Sequence, residues 1–203
     1  MQDTEDRKEI KIFSLDKNYS TTKLLSKEKP IVEKSPEDKF ETILSLPVGE
    51  NRNGEGGLRI KGYFKHSYKL INGQWWIIDR LGNPLEEVKN SNSIVDSSFT
   101  NLPLVTVITV VLNGMRYLEK TIQSVINQTY PNVEYIIIDG GSTDGTLDII
   151  KKYEDKIDYW VSERDEGIYD AMNKGIDVAL GEWINFMNAG DWFHDFSVIE
   201  DVF

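Results

Sequence analysis

Cysteine is absent from the 203-residue sequence. Its absence excludes disulfide bonds, thiolate metal sites and cysteine nucleophiles, and it is neutral about the compartment. No run of about 18 apolar residues occurs, so we expect no transmembrane segment. The first residues, MQDTEDRKEI, are charged and lack the apolar core of a signal peptide. We therefore expect a cytoplasmic protein, with at most a peripheral association with the inner membrane face.

Two common phosphate-binding motifs are also missing. The sequence has no GxxxxGK[ST] pattern, which excludes a P-loop. The first turn between a predicted strand and a predicted helix reads VLNGMR and has one glycine, so it lacks the GxGxxG pattern of dinucleotide-binding sites.

The negative charge is concentrated in the second half. Residues 1–100 carry 16 basic and 16 acidic side chains, whereas residues 101–203 carry 7 and 18, which accounts for the whole net charge of −11. Such a surface disfavours nucleic acid, because phosphate neutralisation needs lysine and arginine. Two interpretations stay open: a solvated acidic surface, or a site where a divalent cation lies between protein carboxylates and a phosphorylated ligand.

The first hundred residues divide into two predicted parts. Residues 1–45 mix charges of both signs with Ser, Thr and Pro, which indicates a disordered or linker arm. Residues 46–100 predict a small β-rich appendage, because Asn72-Gly73 separates two aromatic-rich runs as in a β-hairpin. Trp75 and Trp76 could stack on a sugar, but packing within the hairpin is the commoner use of tryptophan.

From residue 101 onward the sequence alternates between strand and helix patterns. Leu104–Val111 and Val133–Ile138 are nearly unbroken β-branched runs, typical of strands buried on both faces. Between them Leu118, Ile122, Val125 and Ile126 form one helical stripe, for which Asn113 could be the N-cap. Two further helix–strand pairs follow, so residues 101–203 predict an α/β domain with a mostly parallel sheet and helices on both faces.

Polar residues follow each of the four predicted strands. The strand ends lead into Asn113, into Asp139 with GGSTDGT, into SERDEGIYDAMNKG, and into Asn188-Ala189-Gly190-Asp191. Ligands of open α/β sheets bind beyond the carboxyl ends of the strands, so these residues predict a binding site. Each has a structural alternative: the serine and threonine of GGSTDGT could cap a helix, and Lys174 suits a helix C-terminus.

These stretches carry a resemblance to a known family. VTVITVVLNG, SVINQTYPNVEYIIIDGGSTDGT, SERDEGIYDAMNKGI and GEWINFMNAGD occur in the order found in family-2 glycosyltransferases. Residues 104–193 resemble the N-terminal, donor-binding half of these enzymes, which have the Rossmann-like GT-A fold. The resemblance implies an α/β fold that is truncated at its C-terminal side in this chain.

The resemblance also implies roles for particular residues. Thr109, Val111, Asn113 and Asp139 would hold the uracil and ribose of a UDP-type donor. Ser142, Asp165 and Lys174 complete the expected nucleotide-sugar-binding set. The family's acidic metal motif commonly reads Asp-Ala-Asp-Asp and here retains only Asp191 of its acids, which we expect to hold Mg²⁺ or Mn²⁺.

The function implied is transfer of a sugar from a nucleoside diphosphate sugar to a glycan or lipid-linked acceptor. In the family the catalytic base lies further along the chain, so we expect it beyond Phe203 and name none here. The final residues 196–203 predict the start of a helix.

The alternative function is that of a non-catalytic remnant that binds a nucleotide-sugar or a partner. A GT-A-like nucleotidyltransferase is disfavoured, because VLNGMR lacks a Gly-rich basic loop.

Overall fold

The computed structural model describes residues 10–32, 42–49, 51–79, 81–89 and 99–203. The strands are β1 (Ile12–Phe13), β2 (Leu25–Ser26), β3 (Arg52–Gly56), β4 (Ser67–Ile71), β5 (Gln74–Ile78), β6 (Pro84–Glu87), β7 (Asn101–Leu102), β8 (Val105–Val111), β9 (Val133–Asp139), β10 (Tyr159–Glu163) and β11 (Trp183–Phe186). The helices are α1 (Leu118–Ile126), α2 (Thr146–Lys152) and α3 (Ile168–Asp177). In this part of the chain, none of the helices is long and apolar enough to cross a membrane.

The main sheet has five strands in the order β11-β8-β9-β10-β3. The first four are parallel, and β3 runs antiparallel to β10 at the edge. Every residue of β8 and β9 is buried, as expected where β-branched side chains are covered on both faces of a sheet. The predicted mostly parallel sheet is confirmed.

Helices cover both faces of this sheet. On one face, Leu118 and Ile122 of α1 pack in the same apolar cluster as Val107 of β8. On the other face, Ala171 of α3 packs with Ile108 of β8. Gly175 lets α3 come close, because a Cβ there would lie 2.6 Å from the Ile108 Cγ2 atom. The predicted arrangement of helices is therefore also confirmed.

A second, antiparallel sheet has the order β6-β5-β4-β7. Its central hairpin joins β4 to β5 through Asn72 and Gly73, which both have positive φ, 51° and 80°. The predicted Asn-Gly hairpin is confirmed. Trp75 is only 7% exposed and belongs to the main apolar cluster, which agrees with packing rather than sugar stacking.

Part of the predicted appendage over residues 46–100 belongs to the main sheet instead. Residues 52–56 form β3, which pairs with β10 from Arg52 opposite Glu163 to Gly56 opposite Trp160. The glycines leave room for an indole: a Cβ on Gly56 would lie 2.6 Å from Trp160 Nε1. The glycines at 54 and 56 thus belong to an edge strand that packs closely against a tryptophan.

The predicted arm over residues 1–45 is wrong for residues 10–32. Ile10, Ile12 and Leu25 are buried, and β1 pairs with β2. The Ser20 hydroxyl donates to the carbonyls of Val125 and Ile126 at the end of α1, 3.1 Å from each. The Val125 carbonyl also accepts from the Gln128 amide at 3.2 Å, and Ser20 adds a side-chain donor at this helix end, where carbonyls lack the usual helical partners. Residues 1–9 and 33–41 of the predicted arm lie outside the described residues.

The helix predicted to start in residues 196–203 does not form, since these residues make turns. Their backbone groups pair with the residues that follow α1. The Ile199 amide donates to Gln128 Oε1 at 3.0 Å, and the Thr129 amide donates to the Phe196 carbonyl at 2.7 Å. The Phe196 carbonyl is thus occupied by Thr129, and the segment keeps an α-helical-type bond from the Asp201 amide to the Ser197 carbonyl at 2.8 Å.

A buried ion pair fixes the segment before β4 to the amino end of the main sheet. The Nη2 atom of Arg59 lies 2.5 Å from Glu134 Oε1, and both side chains are almost fully buried. The other carboxylate oxygen of Glu134 accepts from the Thr106 hydroxyl at 2.6 Å and the Leu180 amide at 2.9 Å. One carboxylate therefore joins the segment before β4, strand β8 and the chain leading to β11.

We predict that Arg59→Met lowers the free energy of unfolding by about 3–5 kcal/mol, because it leaves the buried Glu134 carboxylate without its cation. Lys61→Met is the matched control: it removes an exposed pair with Glu154 and should cost about 0–1 kcal/mol. Urea unfolding of both variants measures the difference. Equal losses would show that residues 58–66 are not part of the same cooperative unit as the sheet.

Candidate functional site

Four parallel strands end at one edge of the main sheet, which we call the rim. The ends of the three central strands lie side by side: Val111 pairs with Asp139, and Asp139 pairs with Ser162, the last but one residue of β10. The chain after β11 joins the same edge, where the Ala189 amide donates to the Val110 carbonyl at 3.2 Å. The loops after the strands therefore form one continuous surface.

Side chains interlock the loops after β8 and β9. The Asn113 amide donates to the Ser142 hydroxyl at 2.7 Å, and Asn113 Oδ1 accepts from the Thr143 amide at 2.9 Å. The Asp144 carboxylate accepts from the Met115 amide at 3.1 Å. A hydrogen bond from the Thr146 side chain, with further backbone donors, lowers the pKa of Asp144.

Asn113 is not the N-cap of the first helix. It has a left-handed backbone with φ of 53°, and α1 begins five residues later, at Leu118, with Tyr117 at the N-cap position. Asparagine tolerates this conformation better than most side chains. The residue turns the chain away from β8, and its side chain then holds the neighbouring loop.

Asp139 is fully buried at the end of β9. Its carboxylate accepts from the Ser142 amide at 3.1 Å, from the Ser142 hydroxyl and from the Ser162 hydroxyl at 2.6 Å. A buried carboxylate needs such donors to offset its desolvation. In this conformation Asp139 shapes the rim through the two serines, and its own oxygens are not presented to solvent.

The loop after β10 lies against the loop after β9. A Cβ on Gly140 would lie 2.4 Å from Asp165 Oδ2, so any residue other than glycine would displace this carboxylate. Asp165 Oδ1 accepts from the Gly167 amide at 2.9 Å, which closes the turn before α3. Asp165 is thus close to the turn that follows Asp139.

Lys174 reaches back from α3 to the end of β10. Its Nζ atom lies 3.1 Å from Glu163 Oε1 and 3.3 Å from Asp170 Oδ2. Burial alone would lower the pKa of Lys174, but the hydrogen bonds and charges of Glu163 and Asp170 outweigh it, so the pKa is raised. The side chain keeps its positive charge at the rim.

The loop after β11 is fixed by α1. The Gly190 amide donates to Thr121 Oγ1 at 3.1 Å, and that hydroxyl donates to the Asp191 carbonyl at 2.8 Å. Asp191 is exposed. Asn188 Oδ1 is buried and has no hydrogen-bond partner within the described residues, which is unusual for an amide oxygen.

These residues offer a partial fit to a divalent cation. Mg²⁺ and Mn²⁺ prefer oxygen ligands, which the carboxylate of Asp191 and the unpaired amide oxygen of Asn188 could supply. Within the described ranges no group of three acidic, histidine or cysteine side chains could hold a metal. The remaining ligands would have to come from a phosphorylated molecule and water.

Two predicted site residues do not present side chains at the rim. Thr109 is fully buried in the middle of β8, where its hydroxyl lies 3.0 Å from the Tyr135 hydroxyl. Val111 is 6% exposed and packs in the apolar cluster, while its carbonyl accepts from the Gly140 amide at 2.9 Å. Both lie on the central strand of the site, but their side chains support the sheet.

A cavity of ≈ 410 Å³ lies elsewhere, beside the start of β11. It is lined by Thr42, Ile176, Ala179, Gly181, Glu182, Trp183 and Ile184. None of these is a predicted site residue. Because Gly181 and Glu182 precede β11, the cavity lies at the amino end of that strand, away from the rim.

Sequence reasoning missed three residues of the site. Ser162 and Glu163 end β10 and hold Asp139 and Lys174, and their position at a strand end was the available signal. Arg52 binds Glu163 with its Nε atom 2.9 Å from Oε2. No sequence pattern predicted it, because it lies 111 residues earlier in the chain.

The model of the family described as "Glycosyl transferase family 2" matches residues 106–202, which contain all four strand ends of the rim. This segment belongs to glycosyl transferase family 2. The family 2 segment is similar to the putative teichuronic acid biosynthesis glycosyltransferase TuaG of Bacillus subtilis, with 42% identity over 98 residues. It is also 42% identical over 95 residues to an uncharacterized glycosyltransferase of Mycobacterium tuberculosis.

The matches cover part of each protein. They span 46% of this chain, 38% of TuaG and 36% of the mycobacterial protein, so the chain spans little more than a third of these relatives. Among solved structures, S. aureus TarS 1–349 in complex with UDP-GlcNAc aligns with a TM-score of 0.45, at 25% identity over 49% of this chain and 30% of that one. The mannosyltransferase PcManGT from Pyrobaculum calidifontis, in complex with GDP-Man and Mn²⁺, also gives 0.45, at 26% identity over 50% and 31%.

We predict that Asn113→Ala lowers the free energy of unfolding by about 1–2 kcal/mol more than Asn113→Gly does, because alanine disfavours the left-handed backbone. Both variants lose the Oδ1 acceptor, so amide hydrogen exchange at Thr143 should speed up in both. Urea unfolding and exchange measured by NMR separate the two effects. Unchanged exchange at Thr143 in both variants would contradict the interlocked loops.

Proposed function

We propose that this protein is a glycosyltransferase that transfers a sugar from a nucleoside diphosphate sugar to a glycan or lipid-linked acceptor. The observation that carries the proposal is the rim of the family 2 segment, where Asn113, Asp139, Ser142 and Asp165 hold together the loops after β8, β9 and β10. The loop after β11 is held beside them by Thr121 of α1. A rigid loop set with exposed amides and hydroxyls at a strand-end crevice suits a nucleotide.

The donor would contact the rim through residues that the structure leaves accessible. Asn113 and Ser142 lie at the surface of the interlocked loops, and we assign the nucleoside to this side. Asp139 would act through Ser142, since its own oxygens are buried. Thr109 and Val111 would contribute by supporting the sheet beneath the ligand. Lys174, positively charged and partly accessible, suits the anionic diphosphate.

We assign the metal position to Asp191, with Asn188 as a second oxygen donor and the donor diphosphate completing the set. When bound, Mg²⁺ or Mn²⁺ would offset the charge that develops on the leaving diphosphate. This assignment is compatible with the GDP-Man and Mn²⁺ complex of PcManGT, whose segment aligns with this chain.

In the proposed reaction the bond between the anomeric carbon and the diphosphate oxygen breaks, and a bond to the acceptor oxygen forms. The acceptor hydroxyl must lose its proton to a base within hydrogen-bond reach. We assign no rim residue to that base. The donor-side residues bind and orient the leaving group, and positioning of this kind can lower a barrier by several kcal/mol, roughly 7–11 at most.

The names of the relatives bear on the class of acceptor. The relative TuaG is named for teichuronic acid biosynthesis, and others are named for PGL/p-HBAD biosynthesis. We propose a glycan or a lipid-linked molecule as the acceptor of this protein. A cytoplasmic location with peripheral contact to the inner membrane face stays a prediction.

We predict that UDP binds this chain more tightly with Mn²⁺ than with EDTA, and that Asp191→Asn lowers the Mn²⁺-dependent affinity about tenfold, as the loss of a charged ligand would. Asp155→Asn is the matched control, because it removes the same exposed charge at the opposite end of the sheet, before β10. Isothermal titration calorimetry measures the affinities.

The same titrations distinguish the parts of the proposal. No heat of binding with millimolar UDP and Mn²⁺, from folded protein, would contradict the donor site. Equal affinities for Asp191→Asn and Asp155→Asn would instead retain the donor site and reject Asp191 as a metal ligand. A UDP-release assay with a panel of UDP-sugars then tests for turnover.

A further inference from the structure

Arg52 lies outside the family 2 segment, yet the fold carries it to the rim. It begins β3, and its Cα partner across the sheet is Glu163, the last residue of β10. The register shifts between Ser162 and Glu163, which changes the alternation of side chains at the end of the strand. The arginine and the glutamate thus meet beside the turn that contains Asp165.

The guanidinium of Arg52 is held by many bonds. Its Nε and Nη2 atoms lie 2.9 and 2.8 Å from Glu163 Oε2. Its other donors reach Glu55 Oε2 at 2.9 Å and the carbonyls of Leu46 and Pro47 at 3.3 and 2.6 Å. The side chain is only 9% exposed. Such a planar donor set fixes the position of the carboxylate that it binds.

Glu163 is shared between two cations. Arg52 occupies Oε2, which leaves Oε1 to Lys174 at 3.1 Å. The Lys174 ammonium also donates to the Arg164 carbonyl at 3.3 Å, so it ties α3 to the loop after β10. Each cation also has a second carboxylate partner, Glu55 for Arg52 at 2.9 Å and Asp170 for Lys174 at 3.3 Å, so Glu163 is the carboxylate that joins the two cations.

We propose that Arg52 is a positioning residue of the nucleotide-sugar site, and that it acts through Glu163 on Lys174. Arg52 binds Oε2 of Glu163 and so fixes Oε1, which in turn holds the Lys174 ammonium beside the loop after β10, where it can meet an anionic ligand. Without Arg52, Glu163 loses this support, and Asp170 of its own helix is the carboxylate partner that Lys174 keeps. This inference rests on the proposed function, because the ligand is the diphosphate of the donor.

The test measures binding of UDP in Mn²⁺ and of uridine, a phosphate-free probe, to the full chain by calorimetry and competition. Arg52→Ala should weaken UDP binding about tenfold and leave uridine binding unchanged, because only UDP carries the phosphates that Lys174 would meet. Arg52→Lys keeps the positive charge but lacks the planar donor set of the guanidinium, so it should recover part of the lost UDP affinity. Glu55→Gln is the matched control, since it removes an Arg52 ion pair that does not lead to Lys174.

A double-mutant cycle makes the route through Glu163 measurable. In a Glu163→Gln background the carboxylate that joins Arg52 to Lys174 is gone, so Arg52→Ala should cause little further loss of UDP affinity. Additive losses in the cycle would overturn the proposal. Equal losses for UDP and uridine would overturn it as well, because they would indicate a structural role.

The outcomes separate the two proposals. If the unaltered chain binds no UDP, the proposed function and the role of Arg52 fall together. If the unaltered chain binds UDP and Arg52→Ala binds it equally well, only the role of Arg52 is overturned. Should Arg52→Ala fail to fold, Arg52→Lys and Glu163→Gln decide the same question.

Discussion

Strand β9 carries a buried carboxylate near each end, and each one must be satisfied inside the protein. Glu134, near the amino end, is paired with Arg59 and bonded to Thr106. Asp139, at the carboxyl end, is bonded to Ser142 and Ser162. An unsatisfied carboxylate in either place would cost several kcal/mol, roughly 3–5 for a broken buried pair. The segments that supply the hydrogen-bond donors therefore pack against the two ends of this strand.

The two ends of β9 differ in the chemical groups that satisfy the buried carboxylate. At the amino end a cation from the segment before β4 neutralises Glu134, which makes that segment part of the core. At the carboxyl end hydroxyl and amide groups satisfy Asp139, and they belong to the loops of the rim. The first arrangement stabilises the assembly of the chain, whereas the second shapes the surface of the rim.

Residues 10–32 and 52–56 pack against the main sheet or pair with it, although their composition does not indicate this. Strand β3 covers the edge of β10, which would otherwise leave backbone groups unpaired. It also brings Arg52 to Glu163 and so connects residues outside the family 2 segment to the candidate site. The short apolar runs of residues 10–32 are buried because the surface of α1 and the second sheet is apolar where they pack.

The sequence by itself determined the parallel sheet, its helices on both faces, the Asn72-Gly73 hairpin and the order of polar strand ends, because each depends on periodicity or turn chemistry within about 20 residues. Tertiary structure alone decided that Thr109 faces Tyr135, that Asp139 is closed off by serines, and that Arg52 meets Glu163. Local patterns cannot report these contacts. They arise when strands distant in the chain pair in one register, and burial then selects which polar groups must find each other.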